Sequence, residues 1–230
     1  MGVNRQDSKK IAKWTGQVHV PKEHIDILPI LKEPKVWILV LNYFVGLGGF
    51  LAMSSFLPGF MIRYHQLDEK ITLLVVSFYL IFASLVRSAT GGVTDKYGGG
   101  ECAIMGNFII GSGSFILAFS SPESPSGWNC VVGILVMSFG MGLLNSATYK
   151  WIPDACPGWA GPVGGLAGGL GAFGGFVLPA LIGVLANLGG RWYAYSMFTF
   201  TVINALMVGI DLGLLIHLKR NPPVVSGQQF

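Results

Sequence analysis

Arg87 is the residue whose chemistry is hardest to account for by packing. It stands inside the apolar run SFYLIFASLVRSAT, where nothing nearby carries an opposite charge. A charge buried in hydrocarbon is costly, so such a residue either serves a function or snorkels to a membrane face. Helical side chains lean toward the N-terminus of their own helix, and this run reads as entering from the outer side. The lean therefore points Arg87 toward the membrane centre. Ser77, Ser84, Ser88 and Gly91 share its face at helical spacing, a small polar stripe suited to contact something other than lipid. A guanidinium fork bonds two oxygens of a small oxyanion at once and stays charged at any physiological pH.

Four other positions fall at a similar depth in neighbouring apolar runs: Tyr43, Asn145, Gly165 and Gly168. Together they would offer a hydroxyl with a ring, an amide and bare backbone to the anion that Arg87 would hold. Each also has a simpler reading, Tyr43 as a packing aromatic and Asn145 as an interhelical hydrogen bond. Asp211, in the sixth apolar run, reads as the other buried charge. It reads either as a proton-coupling group or, near the cytoplasmic end, as a snorkelled or hydrogen-bonded carboxylate. The remaining inventory argues against an enzyme. His19, His24, His65 and His217 have no ligand spacing, and no nucleophile triad, phosphate loop or paired carboxylate is present. Cys102, Cys130 and Cys156 give neither a disulfide framework nor a metal pattern and read as small packing residues. No metal and no cofactor are expected.

The elements that must position these residues follow from composition. The chain of 230 residues is 52% hydrophobic and 11% charged, with mean hydropathy +0.59. Soluble domains carry about 25% charged residues, so this is a membrane protein by composition, and the apolar runs below make it all-α. The basic residues do not interleave with exposed aromatics, which excludes nucleic acid as a partner. Six apolar runs are expected to span the bilayer: 36–61, 71–93, 102–120, 129–152, 162–188 and 192–218. A polar tail precedes them over residues 1–35 and a short one follows over 219–230, so the six-helix bundle occupies 36–218. The leading tail lacks an apolar signal-peptide core. With both termini inside, the cytoplasmic segments hold eleven Lys or Arg and the outer loops three, which places both termini in the cytoplasm.

The fifth run holds most of the glycine. Gly161, Gly165 and Gly169 recur at i+4, as do Gly164 with Gly168 and Gly171 with Gly175, and Gly174 adds another small position. This spacing lets a second backbone approach closely, lets the helix slide against a neighbour, or lets a small ligand rest on the backbone. In the loop after the second run, GGVTDKYGGG, Gly91, Asp95, Lys96 and Gly98 form a tight turn. Asp95 is set to meet a helix N-terminus or a basic group.

That loop resembles the cytoplasmic loop motif of the major facilitator superfamily, although Gly99 and Gly100 stand where the superfamily usually has basic residues. GGLAGGLGAFGGFVLP, from Gly164 to Pro179, resembles the second glycine-rich nitrate motif of the nitrate/nitrite porter family within it. LVRSATGGVTDKYGG is similar to that family's eighth helix and loop, WILVLNYFVGLGGF to its seventh helix and GMGLLNSATYKWIP to its tenth. The resemblance puts Arg87 at the substrate arginine and Tyr43 at a substrate-contacting tyrosine. Leu47 departs from the pattern where an aromatic is expected, and Gly168 stands where some members carry serine.

The resemblance implies one half, the C-terminal six helices, of a twelve-helix transporter, with the leading tail as the linker between halves. The implied activity is membrane transport of nitrate or nitrite by alternating access, which needs a second bundle: an N-terminal half or a second copy. The alternatives are a homodimeric six-span carrier for another small anion, and a non-transporting accessory subunit or truncated duplicate. The expected location is the cell membrane.

Overall fold

A computed structural model describes residues 27–120 and 128–222. Most of the leading tail, 1–26, and the last residues, 223–230, lie outside the described residues. Among the described residues every regular element is helical. Six helices are long and apolar enough to cross a membrane: α1 Pro34–Tyr64, α2 Glu69–Ala89, α3 Gly99–Ala118, α4 Asn129–Ala155, α5 Ala160–Ala186 and α6 Trp192–Arg220. These correspond to the six runs read from the sequence. A short helix, Ile27–Leu31, leads into α1, and another, Gly91–Tyr97, follows α2.

The bundle is built around α4 and α1. α4 lies between α2 and α3 and also touches α1; α5 packs on α1, and α6 packs on α3 and α1. α1 and α4 are the most buried helices, whereas α2, α5 and α6 each leave most of their surface open. Leu74, Phe78, Leu85, Phe176, Val184 and Leu206 are exposed along these three helices. Apolar exposure on that scale suits lipid, not water, and the chain is a multi-pass membrane protein.

Close approach of the helices depends on small residues in more places than the fifth run alone. In the α3–α4 seam, a Cβ on Gly113 would lie 2.6 Å from the Met137 backbone nitrogen, and one on Gly140 2.7 Å from that of Ile110. Gly142 of α4 meets the Ala83 carbonyl of α2 in the same way, at 2.6 Å. Without hydrophobic driving force between helices in lipid, such van der Waals contact is what holds them together. Cys102, Cys130 and Cys156 are free and buried, as expected of packing residues.

α1 is not a uniform α-helix. It widens into a π-helical turn at Phe44–Gly48, directly after Tyr43, and into another at Phe60–Tyr64. The second follows Pro58, whose missing N–H and ring disturb the ladder of the preceding turn. The first lies where Gly46, Gly48 and Gly49 thin the helix.

α2 ends four residues earlier than the apolar pattern suggests, at Ala89. Thr90 carries the hydrogen bonding through the joint: its N–H and hydroxyl both donate to the Val86 carbonyl, and its own carbonyl accepts from Thr94.

Candidate functional site

The site assembles on the open side of α1, α2, α4 and α5. Arg87 lies in the last turn of α2, where the helix dipole favours a cation. Its guanidinium is exposed and sits over the Tyr149 ring of α4, 5.8 Å from the centroid. The Tyr149 ring meets that of Tyr43 edge to face, with centroids 4.8 Å apart. The Tyr43 hydroxyl also interacts with Arg87 and with Tyr149, so the three side chains form one cluster. A cation on an aromatic face is attracted by the ring quadrupole, by about 0.5–2 kcal/mol. Tyr149 therefore orients the guanidinium without neutralising it, and no carboxylate pairs with Arg87 among the described residues.

α5 closes one side of this cluster. A Cβ on Gly168 would lie 3.4 Å from the Tyr149 hydroxyl, and one on Gly164 3.9 Å from its ring. Gly161, Gly165 and Gly169 face open space. Gly171 and Gly174 do the opposite work: their absent side chains admit Tyr43, the Phe44 carbonyl and Gly48 of α1, at 2.6–3.0 Å from a Cβ placed there. Gly175 admits Leu51 in the same seam. One face of α5 is thus packed against the π-helical turn of α1, and the other is bare.

Arg87, Tyr43 and Gly168 come together as the sequence suggests, through Tyr149. Gly165 lies on the open face of the same helix without contacting the cluster. Asn145 is placed differently from its expected reach toward a ligand. It is buried in the α1–α4 seam, where a Cβ on Gly46 would lie 2.8 Å from its Oδ1, and that oxygen has no partner. Tyr149 was missed from the sequence, although it lies one helical turn after Asn145. Its polar tip and its place in the same motif were the available signals.

The segment after α2 is a short helix, Gly91–Tyr97, and not the tight turn expected of it, but its charge pairs as its chemistry suggests. The Asp95 carboxylate pairs with Lys150 of α4 at 3.1 Å, the basic group expected of it. Lys96 lies over the Tyr97 ring. Gly98 adopts φ +97°, which L side chains rarely reach, and opens α3. Gly99 and Gly100, in place of the basic residues, let α3 press on Trp151: a Cβ on Gly99 would be 2.5 Å from its backbone nitrogen. Gly91 has open space around it. At the same end Lys219 of α6 reaches Glu101 of α3 at 2.7 Å. Asp211 does not snorkel. It is fully buried and hydrogen-bonded to Asn42 and Asn107.

Residues 3–179 match the family model described as Major Facilitator Superfamily, which is more than half of the chain. The chain belongs to the major facilitator superfamily. Among its relatives, the "Probable nitrate/nitrite antiporter NarK1" of Thermus thermophilus is 28% identical over 194 residues, covering 78% of this chain and 43% of that protein. The "Probable nitrate transporter NarT" of Staphylococcus epidermidis is 26% identical over 216 residues, 92% of this chain and 54% of its own length. The "Nitrite extrusion protein" of Bacillus subtilis is 24% identical over 166 residues, 72% and 41%. The chain spans about half the length of the curated relatives it matches. Six spanning helices and that coverage fit one half of a facilitator-type transporter.

Proposed function

We propose that this chain supplies one wall of a nitrate or nitrite path, as the six-helix half of an alternating-access transporter in the cell membrane. The observation that carries this reading is the Arg87 guanidinium, exposed over the Tyr149 ring beside Tyr43 and the thin face of α5. Its fork would bond two oxygens of a planar anion, and the Tyr43 hydroxyl would add a third donor. Gly165 and Gly168 would let the anion approach the α5 backbone and let a facing helix slide past. Asn145 would act from behind, by fixing the α1–α4 seam that presents Tyr43. The names of the relatives support nitrate and nitrite as the substrates.

A fixed cation on an open wall binds anions only when a second wall excludes water, because charge interactions in water are weak. An N-terminal six-helix half would provide that wall, and the bare stripe Gly161–Gly165–Gly169 would let it come close. The polar tail 1–35 would then join or neighbour the two halves. The ion pairs Asp95–Lys150 and Glu101–Lys219 lie at the basic end of the bundle, which supports a cytoplasmic location for both termini.

Co-expression with a candidate N-terminal half should restore nitrate uptake in a deficient host, and nitrate should stabilise the assembled pair against heat. Uptake restored equally by the chain alone would favour a homodimeric carrier. An assembled pair that neither stabilises with nitrate nor transports it would leave an accessory role.

A further inference from the structure

The Asp211 carboxylate lies where three helices meet, and no cation pairs with it among the described residues. Asn42 of α1 donates from Nδ2 to Asp211 Oδ1 at 2.6 Å and to the Ile38 carbonyl at 3.2 Å. Asn107 of α3 donates from Nδ2 to Asp211 Oδ2 at 2.8 Å and to Asn42 Oδ1 at 2.8 Å. All three side chains are fully buried. The surrounding elements bring no charge into contact with the triad: α3 carries Glu101, already paired with Lys219, and α1 carries Lys35 beside Glu33 at its start. His217, Lys219 and Arg220 lie further along α6 itself. Two amide dipoles alone therefore face the carboxylate.

We infer that Asn42, Asn107 and Asp211 form a proton-binding site linked through α1 to the anion site beside Tyr43. Two features select a proton over a metal ion. The side chains bond each other directly, which leaves no room for an ion with ligands at about 2.3–2.6 Å. In addition, Asn107 Oδ1 is buried without a partner, an acceptor in reserve. When a proton from water binds Asp211 Oδ2, the carboxylate becomes a neutral acid whose O–H must donate. Rotation of the Asn107 amide turns Oδ1 to accept that proton. Its Nδ2 then leaves Asn42 Oδ1, and the bond between α1 and α3 is lost. Deprotonation returns the proton to water and restores the bond.

The linkage runs through one peptide unit. Asn42 and Tyr43 are adjacent, so they point about 100° apart on α1, one into the triad and the other into the Arg87 cluster. The π-helical turn at Phe44–Gly48 begins at the next residue, where α1 departs from α-helical geometry. A groove of about 490 Å³ between the start of α1 and the end of α6 is lined by Glu33, Lys35, Ile38, Leu214 and His217. It shares Ile38 with the triad.

The linkage rests on the proposed anion site, whereas proton binding can be measured without nitrate. The full chain in lipid is followed by pH-difference infrared spectroscopy between about pH 4 and pH 9. A protonated-carboxyl C=O band should rise on acidification, move in D2O and vanish in Asp211→Asn. Asn107→Ala keeps the carboxyl and should displace the midpoint of that band, which assigns it even if Asp211→Asn does not fold. A band that survives unchanged in Asp211→Asn, a midpoint unmoved in Asn107→Ala, or no band at all would overturn the site. Acidification should also change the near-ultraviolet tyrosine signal, and Tyr43→Phe should remove that change. A titrating Asp211 with a silent Tyr43 would overturn the linkage and leave nitrate binding to be judged by its own assay.

Discussion

Arg87 and Asp211 are both charged side chains within apolar runs, and the fold treats them in opposite ways. Arg87 is exposed on the open face of the bundle, held over an aromatic ring and beside the Tyr43 hydroxyl, with no carboxylate paired to it among the described residues. Asp211 is sealed among α1, α3 and α6, with both oxygens bonded to neighbouring amides. An exposed cation with no carboxylate to neutralise it is equipped to meet something that arrives from outside. A sealed carboxylate can exchange only what is small enough to enter, and its bonds tie helices together. The contrast separates a ligand-facing charge from a helix-coupling one within one small bundle.

The largest effect is expected on the open side. Arg87→Ala should abolish nitrate-dependent thermal stabilisation of the assembled transporter, since a charge-assisted bond contributes about 1.5–3 kcal/mol. Arg87→Lys should recover only part of it, because an ammonium lacks the planar fork. Full stabilisation in Arg87→Ala would remove the reason for separating the two charges.

The α5 glycines offer a second, structural version of the same contrast. In Gly174→Ala the new methyl meets the Phe44 carbonyl at 2.6 Å and Gly48 at 3.0 Å, so the α1–α5 seam must open. Unfolding in bilayer conditions should show a loss of about 1–3 kcal/mol. Gly165→Ala enters open space and should change the fold's stability by less than about 0.5 kcal/mol. Equal losses at the two positions would mean that the open face is in truth packed.

Tyr149→Phe sharpens the comparison at a single ring. The cation-facing surface survives while the hydroxyl next to Gly168 is lost, so nitrate affinity should fall by about 1 kcal/mol or less. A titration calorimeter would resolve that from the Arg87 result. The smallest effect concerns His65, beyond the end of α1, whose ring bonds Ser120 at 3.0 Å. Burial holds this imidazole below its ordinary value of 6.5. The unfolded chain then binds the proton first, so stability is full above about pH 6.5 and declines as pH falls through it. His65→Gln should flatten that part of the thermal midpoint's pH profile, and what slope persists belongs to other groups.

Much of this was legible in the residues. Six apolar runs of bilayer length, a polar leading tail and the biased placement of Lys and Arg follow from one-dimensional patterning. An arginine stands out in any such run because its solvation cost in hydrocarbon is large. Glycine spacing likewise announced close helix approach, since a missing side chain has the same consequence in any fold.

Which glycine meets which neighbour was not legible. Gly171 and Gly165 look alike in the chain, yet one holds Tyr43 against it and the other faces open space. Periodicity gives a helix its faces but not their partners. Tyr149 was overlooked and Asn145 given a reach toward the ligand for the same reason: the two share a face of α4 one turn apart, and only their height along α1 decides which meets Tyr43 and which meets Gly46. The role of Asp211 depended most on tertiary structure. Asn42 and Asn107 lie 169 and 104 residues from it, and only the meeting of three helices makes them its partners. Residue types and their order determined that this chain crosses a membrane with a charge inside it. The packing of helices, through contacts far apart in sequence, decided which charge stays open and which is bonded shut.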